Sequence, residues 1–214
     1  YTSLFDRQRA QAFLLSEGRT ADDFIQAAPR ITAAFDRLAV AVVYGARYQG
    51  GYRTNDGATL LSPGLLAQYQ LTPADTLSLE TLQFDFNEGD TAVRFDPREN
   101  DPEFTREVES ITQRVGWHHR FGPESHLIGQ FVYLNRDTRL KDENEPGPLG
   151  LELLLPGSTQ NQRQQFLTEG FRGDLQHIWD SPWLSLVTGG SILCGEDQKH
   201  DSALIVFPFG GQLS

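Results

Sequence analysis

The sequence lacks the features that define several common protein classes. It holds one cysteine, Cys194, so no internal disulfide framework can form. Its longest nearly unbroken apolar run, Leu38 to Ala46, is far shorter than the ~20 residues of a membrane-crossing helix, which excludes a helical membrane protein. With 18 Lys and Arg against 29 Asp and Glu, the net charge is -11 and no basic stripe is present, which argues against a nucleic-acid partner.

The composition is that of one ordered domain, 1–214. Gly and Pro are 20 and 11 of the 214 residues, below the level of low-complexity chains, and 11% of the residues are aromatic. No repeat or linker divides the chain. It begins at Tyr1 and contains no methionine, which favours a mature chain or, more strongly, a fragment.

Four separated segments alternate between apolar and small or polar residues. They are Leu38 to Gln49, Pro63 to Leu71, Ser110 to Phe121 and Thr168 to Trp179. In the first of them every even position is apolar or aromatic. Because consecutive side chains of a strand point to opposite faces of a sheet, this period of two predicts β-strands.

Other segments are less regular. Thr76 to Asn87 begins with two leucines on odd positions and ends with a leucine and two phenylalanines on even ones, which predicts a β-bulge or a shifted boundary. His126 to Asn135 is a further predicted strand with apolar residues on both faces. Thr20 to Ala28 and Asp101 to Val115 have a helical alternative, the latter because its apolar residues keep helical spacing after Asp-Pro.

Short and long connections alternate along the chain. The tight turns are Asp36-Arg37, Thr72 to Asp75, Gly122 to Ser125 and Asp180 to Pro182. Between them lie the longer polar connections Gly50 to Leu61, Glu88 to Arg106, Arg136 to Arg163 and Cys194 to Asp201. An antiparallel meander would therefore place all tight turns at one end, as outer-membrane barrels do.

Aromatic residues lie close to the tight turns in sequence: Phe35, Tyr69, Phe121, Trp179 and Trp183. A ring of aromatic side chains at one rim suits the membrane interface. The alternative is that aromatic residues are simply frequent in strands. We interpret these five as membrane-interface aromatics.

The predicted fold is all-β, an antiparallel up-and-down transmembrane β-barrel that is partial, with about nine or ten strands. Segments of 9 to 15 residues exceed the ~5 to 6 of typical soluble strands, and only a closed sheet satisfies backbone groups in lipid. Polar residues opposite the apolar ones would then line the lumen: Arg114, His118, Arg120, Arg172, Asp174 and Gln176. A soluble two-sided sheet is the alternative, since it alternates in the same way.

Several stretches carry a family resemblance. They are Tyr1 to Phe5 with Arg7 and Arg9, Thr81 to Pro97, Arg114 to His119 with Ser125 to Gly129, and Gly173 to Trp179. Together they resemble bacterial outer-membrane proteins that have N-terminal tetratricopeptide repeats and a C-terminal barrel similar to TonB-dependent receptors. The resemblance covers Tyr1 to about Ile192, in the barrel region only.

The resemblance implies a location in the Gram-negative outer membrane, with the lipid bilayer as partner. It also implies an upstream region that would contact periplasmic or secretion partners. We therefore expect a pore or anchoring channel for transport or secretion. The alternatives are a TonB-dependent ligand receptor, a soluble all-β binding domain and a barrel-embedded hydrolase.

Signatures of catalysis are missing, so we expect no enzyme, no catalytic residue, no cofactor and no metal. No P-loop, G-x-S-x-G elbow or H-E-x-x-H motif occurs. A triad of His177 with Asp174 or Asp180 and with Ser181 or Ser185 can be imagined but requires geometry. The acidic run from Asp85 to Glu109 lacks calcium-loop spacing and is interpreted as a solvated rim.

Overall fold

The protein folds as a single ten-stranded sheet. The computed structural model describes residues 10–21, 23–91, 101–146, 157–207 and 212–213. The strands, in chain order, are β1 (Ala10–Arg19), β2 (Phe24–Phe35), β3 (Leu38–Gln49), β4 (Ala58–Gln70), β5 (Asp75–Glu88), β6 (Thr105–Gly122), β7 (Ser125–Pro146), β8 (Thr159–Asp180), β9 (Ser185–Val206) and β10 (Gln212–Leu213).

Each strand pairs with the next one in antiparallel orientation, in the order β1 to β10. The predicted all-β, up-and-down antiparallel fold is therefore confirmed, with ten strands. The sheet is open, because in the described residues no pairing joins β1 to β9 or β10. In the same residues, no helix is both long enough and apolar enough to cross a membrane.

Tight turns join the strands at one end of the sheet, here called the turn end. Asp36, in the two-residue turn between β2 and β3, has a φ of 40°, a left-handed conformation that Asp tolerates better than most residues. Before β5, the Thr72 hydroxyl accepts hydrogen bonds from the amides of Ala74 (3.1 Å) and Asp75 (3.0 Å). Before β9, Ser181 Oγ accepts one from the Leu184 amide at 3.1 Å. Turn chemistry in the sequence thus sets the hairpins.

The two faces of the sheet differ in composition and burial. The apolar face carries the even positions of β3 from Leu38 to Tyr48 and the odd positions of β8 from Phe171 to Trp179; the polar face is the opposite one. Large exposed apolar side chains are concentrated on the apolar face. Buried strand residues of the described chain all lie on the polar face: Phe24, Ala34, Ala39, Ala41, Gln68, Thr76, Val108 and Asp174. The sheet therefore encloses its polar face.

The expected β-bulge in β5 is wrong. Pairing of β5 with β4 and with β6 runs without a register shift from Thr76 to Glu88. Leu77 and Leu79 lie on the apolar face, whereas Leu82 and the two phenylalanines after it lie on the polar face. The strand keeps its geometry while the environment of its faces changes along its length.

Strands β6 to β9 are longer than predicted, at 18 to 22 residues. Much of the predicted Arg136 to Arg163 connection is strand, since β7 reaches Pro146 and β8 begins at Thr159. The predicted connection Cys194 to Asp201 lies inside β9, so Cys194 is not at a strand end. The helical alternatives also fail, because their described residues belong to β2 and β6 and the turns or loops before them. Polar residues paired across strands explain these extensions.

The strands are staggered in a regular way. Val42 of β3 and Phe171 of β8 lie in one row of paired residues across the sheet. The turn end lies four residues below this row on β3, at Leu38, and nine below it on β8, at Asp180. The difference of five residues over five strand steps is one residue per strand. With a rise of ~3.4 Å and a spacing of ~4.8 Å, that stagger corresponds to strands tilted by about 35°.

The apolar residues follow the same stagger. On β3 the apolar face remains apolar up to Tyr48, six residues above the row; on β8 it ends at Phe171 in the row itself, since Glu169 follows. These apolar-face residues, bounded below by the turn end, are called the apolar band. Its upper limit descends across the sheet in the same direction as the turns.

Candidate functional site

The predicted lumen residues lie together on the polar face. Arg114, His118 and Arg120 are on β6, while Arg172, Asp174 and Gln176 are on β8, with β7 between them. All six occupy even positions, which the register places on the same face. The structure therefore brings them into one polar surface behind the apolar band, and their role in lining a lumen stays a prediction.

Asp174 is the most closely surrounded member of this surface. The Arg172 guanidinium donates from Nε to both Asp174 carboxylate oxygens at 2.9 Å. From β7, Gln130 Nε2 donates to Oδ2 of Asp174 at 2.8 Å. The side chain of Asp174 is only 5% exposed, whereas that of Arg172 is 56% exposed. The acid is thus covered by its partners while the cation remains accessible.

A second ion pair lines a small cavity on the polar face. Arg114 Nη1 donates to Glu80 Oε2 at 2.9 Å, joining β6 to β5. The cavity beside this pair has a volume of about 230 Å³, and its wall includes Gln68, Ser78 and Gln130. Amide, hydroxyl and guanidinium groups therefore face this space, as expected of a surface that contacts water or polar solutes.

The histidine contact that matters joins different strands. His118 Nε2 lies 3.0 Å from Nδ1 of His126, and the rings stack with centroids 5.2 Å apart. Sequence reasoning considered the adjacent pair of His118 and His119, which point to opposite faces. His126 was missed, although its even number places it on the polar face with His118. Groups of three or more metal-ligating side chains are absent from the part of the chain that the structure describes.

The predicted interface aromatics gather at the turn end. Phe35, Tyr69, Phe121 and Trp179 lie on the apolar face with at least 46% exposure, and Trp183 in the β8–β9 turn is 95% exposed. They are therefore free of the sheet interior. Their contact with a membrane interface stays a prediction.

Polar side chains interleave with these aromatics. Asp75 accepts a hydrogen bond from Trp117 Nε1 at 3.2 Å and lies 2.7 Å from His119 Nδ1. The Phe121 ring packs edge-on against His119, with centroids 4.4 Å apart. This mixture of rings and polar groups is typical of a surface between apolar and aqueous surroundings. Sequence reasoning missed the Asp75 contacts because they cross strands.

The imagined triad around His177 is not assembled. His177 Nε2 lies 2.9 Å from Ser125 Oγ, not against Ser181 or Ser185. Asp174 is on the opposite face of β8, because it differs from His177 by an odd number of positions. A serine and histidine without an acid to orient them give no support to nucleophilic catalysis.

Charged side chains replace the apolar ones above the apolar band. Arg139 Nη2 lies 2.6 Å from Asp137 Oδ2, and Glu143 Oε1 is within 3.1 Å of both Lys141 Nζ and Arg163 Nη2. The hydrogen bonds from Lys141 and Arg163 hold the pKa of Glu143 below its ordinary value. These pairs stabilise the carboxylate in the extended β7–β8 hairpin.

The described part of the acidic run is tied into loop contacts. Asn55, in the β3–β4 loop, donates from Nδ2 to the carbonyl oxygens of Asp101 (3.0 Å) and Phe104 (2.7 Å). Asp90 Oδ2 accepts from the Asp101 amide at 2.9 Å. These loops therefore brace each other. Asp96 and Glu99, and the resembling stretches Tyr1 to Arg9 and Val93 to Pro97, lie outside the described residues.

Comparison with known proteins returns no match of any kind. No family model matches the chain, nor does any curated protein or solved structure. The resemblance to outer-membrane proteins with tetratricopeptide repeats stays a prediction.

Proposed function

We propose that the chain is a segment of a transmembrane β-barrel in a Gram-negative outer membrane and that it forms a passage for polar solutes. The apolar band carries this proposal: large apolar side chains are exposed on the face that points away from the enclosed side. Soluble proteins rarely expose contiguous apolar patches of more than a few hundred Å². Lipid tails would cover this band.

The dimensions of the band support a bilayer as its partner. From Leu38 to Tyr48, ten residue steps at ~3.4 Å per residue make ~34 Å along β3. A tilt of about 35° reduces this to ~28 Å along the membrane normal, and the eight steps from Phe171 to Trp179 give ~22 Å. Both values are close to the ≈ 25 Å apolar belt of outer-membrane barrels.

The stagger supports the same proposal independently. A tilt of about 35° falls in the range of ~35–45° for membrane barrels. Turns and band descend together, as they should if both follow one plane that the tilted strands cross. The reversal of polarity within β5 also fits, since a strand that leaves the hydrocarbon no longer needs an apolar outer face.

The polar face supports a passage. Its ion pairs and amides, including Arg114 with Glu80 and Arg172 with Asp174, would be expensive to bury in a dry core but suit a wet interior. Backbone groups left unpaired in hydrocarbon are not tolerated, so the proposal requires that the free edges of β1 and β9 be paired in the membrane.

The test is insertion into lipid. We expect the purified protein to require detergent, to fold into preformed lipid vesicles and to show a heat-dependent shift in gel mobility. Folded protein in vesicles should also protect the β3 and β8 strands from added protease. A protein that stays soluble and monomeric without detergent, with no mobility shift, would refute the proposal.

A further inference from the structure

The sign of the charge on the polar face differs from that of the whole chain. Behind the apolar band, the charged residues of the described polar face are four arginines and two acids: Arg30, Arg114, Arg120, Arg172, Glu80 and Asp174. Four positive and two negative charges sum to +2, while the chain carries -11. The negative charge therefore lies elsewhere, much of it in the acidic run and its surroundings.

The upper limit of the band does not change this sign. Glu17 on β1 is the only further acid there in the described strands, and Arg47 on β3 lies in the same row of the polar face. Arg19 lies 3.8 Å from Glu17 and adds another positive charge. The polar face behind the band is positive over its full height.

Burial increases the effect of the arginines. The carboxylate of Asp174 is covered by Arg172 and Gln130, so its charge is neutralised at the surface of the sheet, while the Arg172 guanidinium projects from it. Glu80 is likewise paired with Arg114. A solute in front of this surface would meet guanidinium groups before carboxylates.

Two further arginines have no acid to neutralise them. Arg120 Nη2 donates to the carbonyl oxygen of Pro73 at 3.2 Å, and neither Arg120 nor Arg30 forms an ion pair in the described part of the chain. Both residues are exposed. Their positions, near the turn end on β6 and in the middle of β2, spread the uncompensated positive charge along the face.

We propose that the passage selects small anionic solutes, such as carboxylates and inorganic anions, over cations. This inference rests on the proposed function and specifies its substrate class. Positive side chains in a pore lower the barrier for anions and raise it for cations, and guanidinium groups bind carboxylate and phosphate oxygens through paired N–H donors.

The test is the reversal potential of the full-length protein in planar bilayers under a potassium chloride gradient. We expect chloride to permeate several-fold better than potassium. Arg30→Gln with Arg120→Gln should reduce this preference, because uncompensated charges are removed. Glu80→Gln should increase it. Arg139→Gln, above the band and on the other face, is the matched control and should leave the reversal potential unchanged.

The outcomes separate the two proposals. Absence of any conductance from membrane-inserted protein refutes the passage, and the anion preference with it. Conductance that prefers potassium refutes the anion preference alone. So does an anion preference that is unaffected in the Arg30→Gln, Arg120→Gln double variant while Arg139→Gln abolishes it, because the charge responsible would then lie at the outer rim.

Discussion

Arginine at Leu175 should destabilise the protein in a bilayer but not in water. Leu175 is on the apolar face, four residues from both Phe171 and Trp179, so it lies at mid-height of the apolar band on β8. Its side chain is 52% exposed, so the substitution disturbs few packing contacts. Arginine on the lipid face at the bilayer midplane raises the free energy of the folded state by ~2–4 kcal/mol. At ~1.4 kcal/mol per tenfold change, the folding equilibrium constant should fall by about 30-fold to several hundred-fold.

The neighbouring residue gives a matched control. Gln176 is on the polar face of the same strand at nearly the same height, so Gln176→Arg should change the unfolding free energy by less than ~1 kcal/mol. Urea unfolding in lipid vesicles, followed by tryptophan fluorescence, measures both variants. Equal unfolding midpoints for Leu175→Arg and Gln176→Arg would refute the assignment of the apolar face to lipid. Such a result would favour a soluble sheet, in which an exposed leucine tolerates arginine.

Two further predictions concern the turn end and the extended hairpin. Thr72→Val removes a hydroxyl that makes three hydrogen bonds in the turn before β5, and should lower the unfolding free energy by ~1–2 kcal/mol in urea titrations. Thr72→Ser keeps the hydroxyl, so an equal loss in both variants would contradict this. For Glu143, whose folded pKa is depressed by Lys141 and Arg163, ionisation adds stability above the unfolded pKa of ~4.3. That contribution should disappear as pH falls through the folded pKa. Amide exchange of β7 and β8 should then depend less on pH in Glu143→Gln; an unchanged pH dependence would exclude the ion pair as its source.

Some elements could be read directly from the sequence. The predicted bounds of β3, Leu38 to Gln49, match the structure because one face remains apolar over the whole strand. The six polar-face residues of β6 and β8 were also found, since strict alternation places them on one side. The hairpin turns were identified from their Asp, Pro, Ser and Gly residues.

Other elements could not be predicted from local patterns. The residues of β5 change parity where the environment changes, and a local pattern cannot distinguish this from a bulge. The ends of β7 and β8 are polar on the apolar face, so they resemble loops until Asp137, Arg139 and Gln165 are seen paired across the strands. The contact of His118 with His126 depends on register, which a single strand does not reveal.

By itself the sequence determined the strands, the hairpins and the two kinds of face, because each depends on neighbouring residues and on a period of two. Only the tertiary structure decided which face is enclosed, how the strands are staggered and which acid neutralises which arginine. These properties arise from register and curvature across many strands. Residues such as Glu80 and Arg114 therefore meet although 34 positions separate them along the chain.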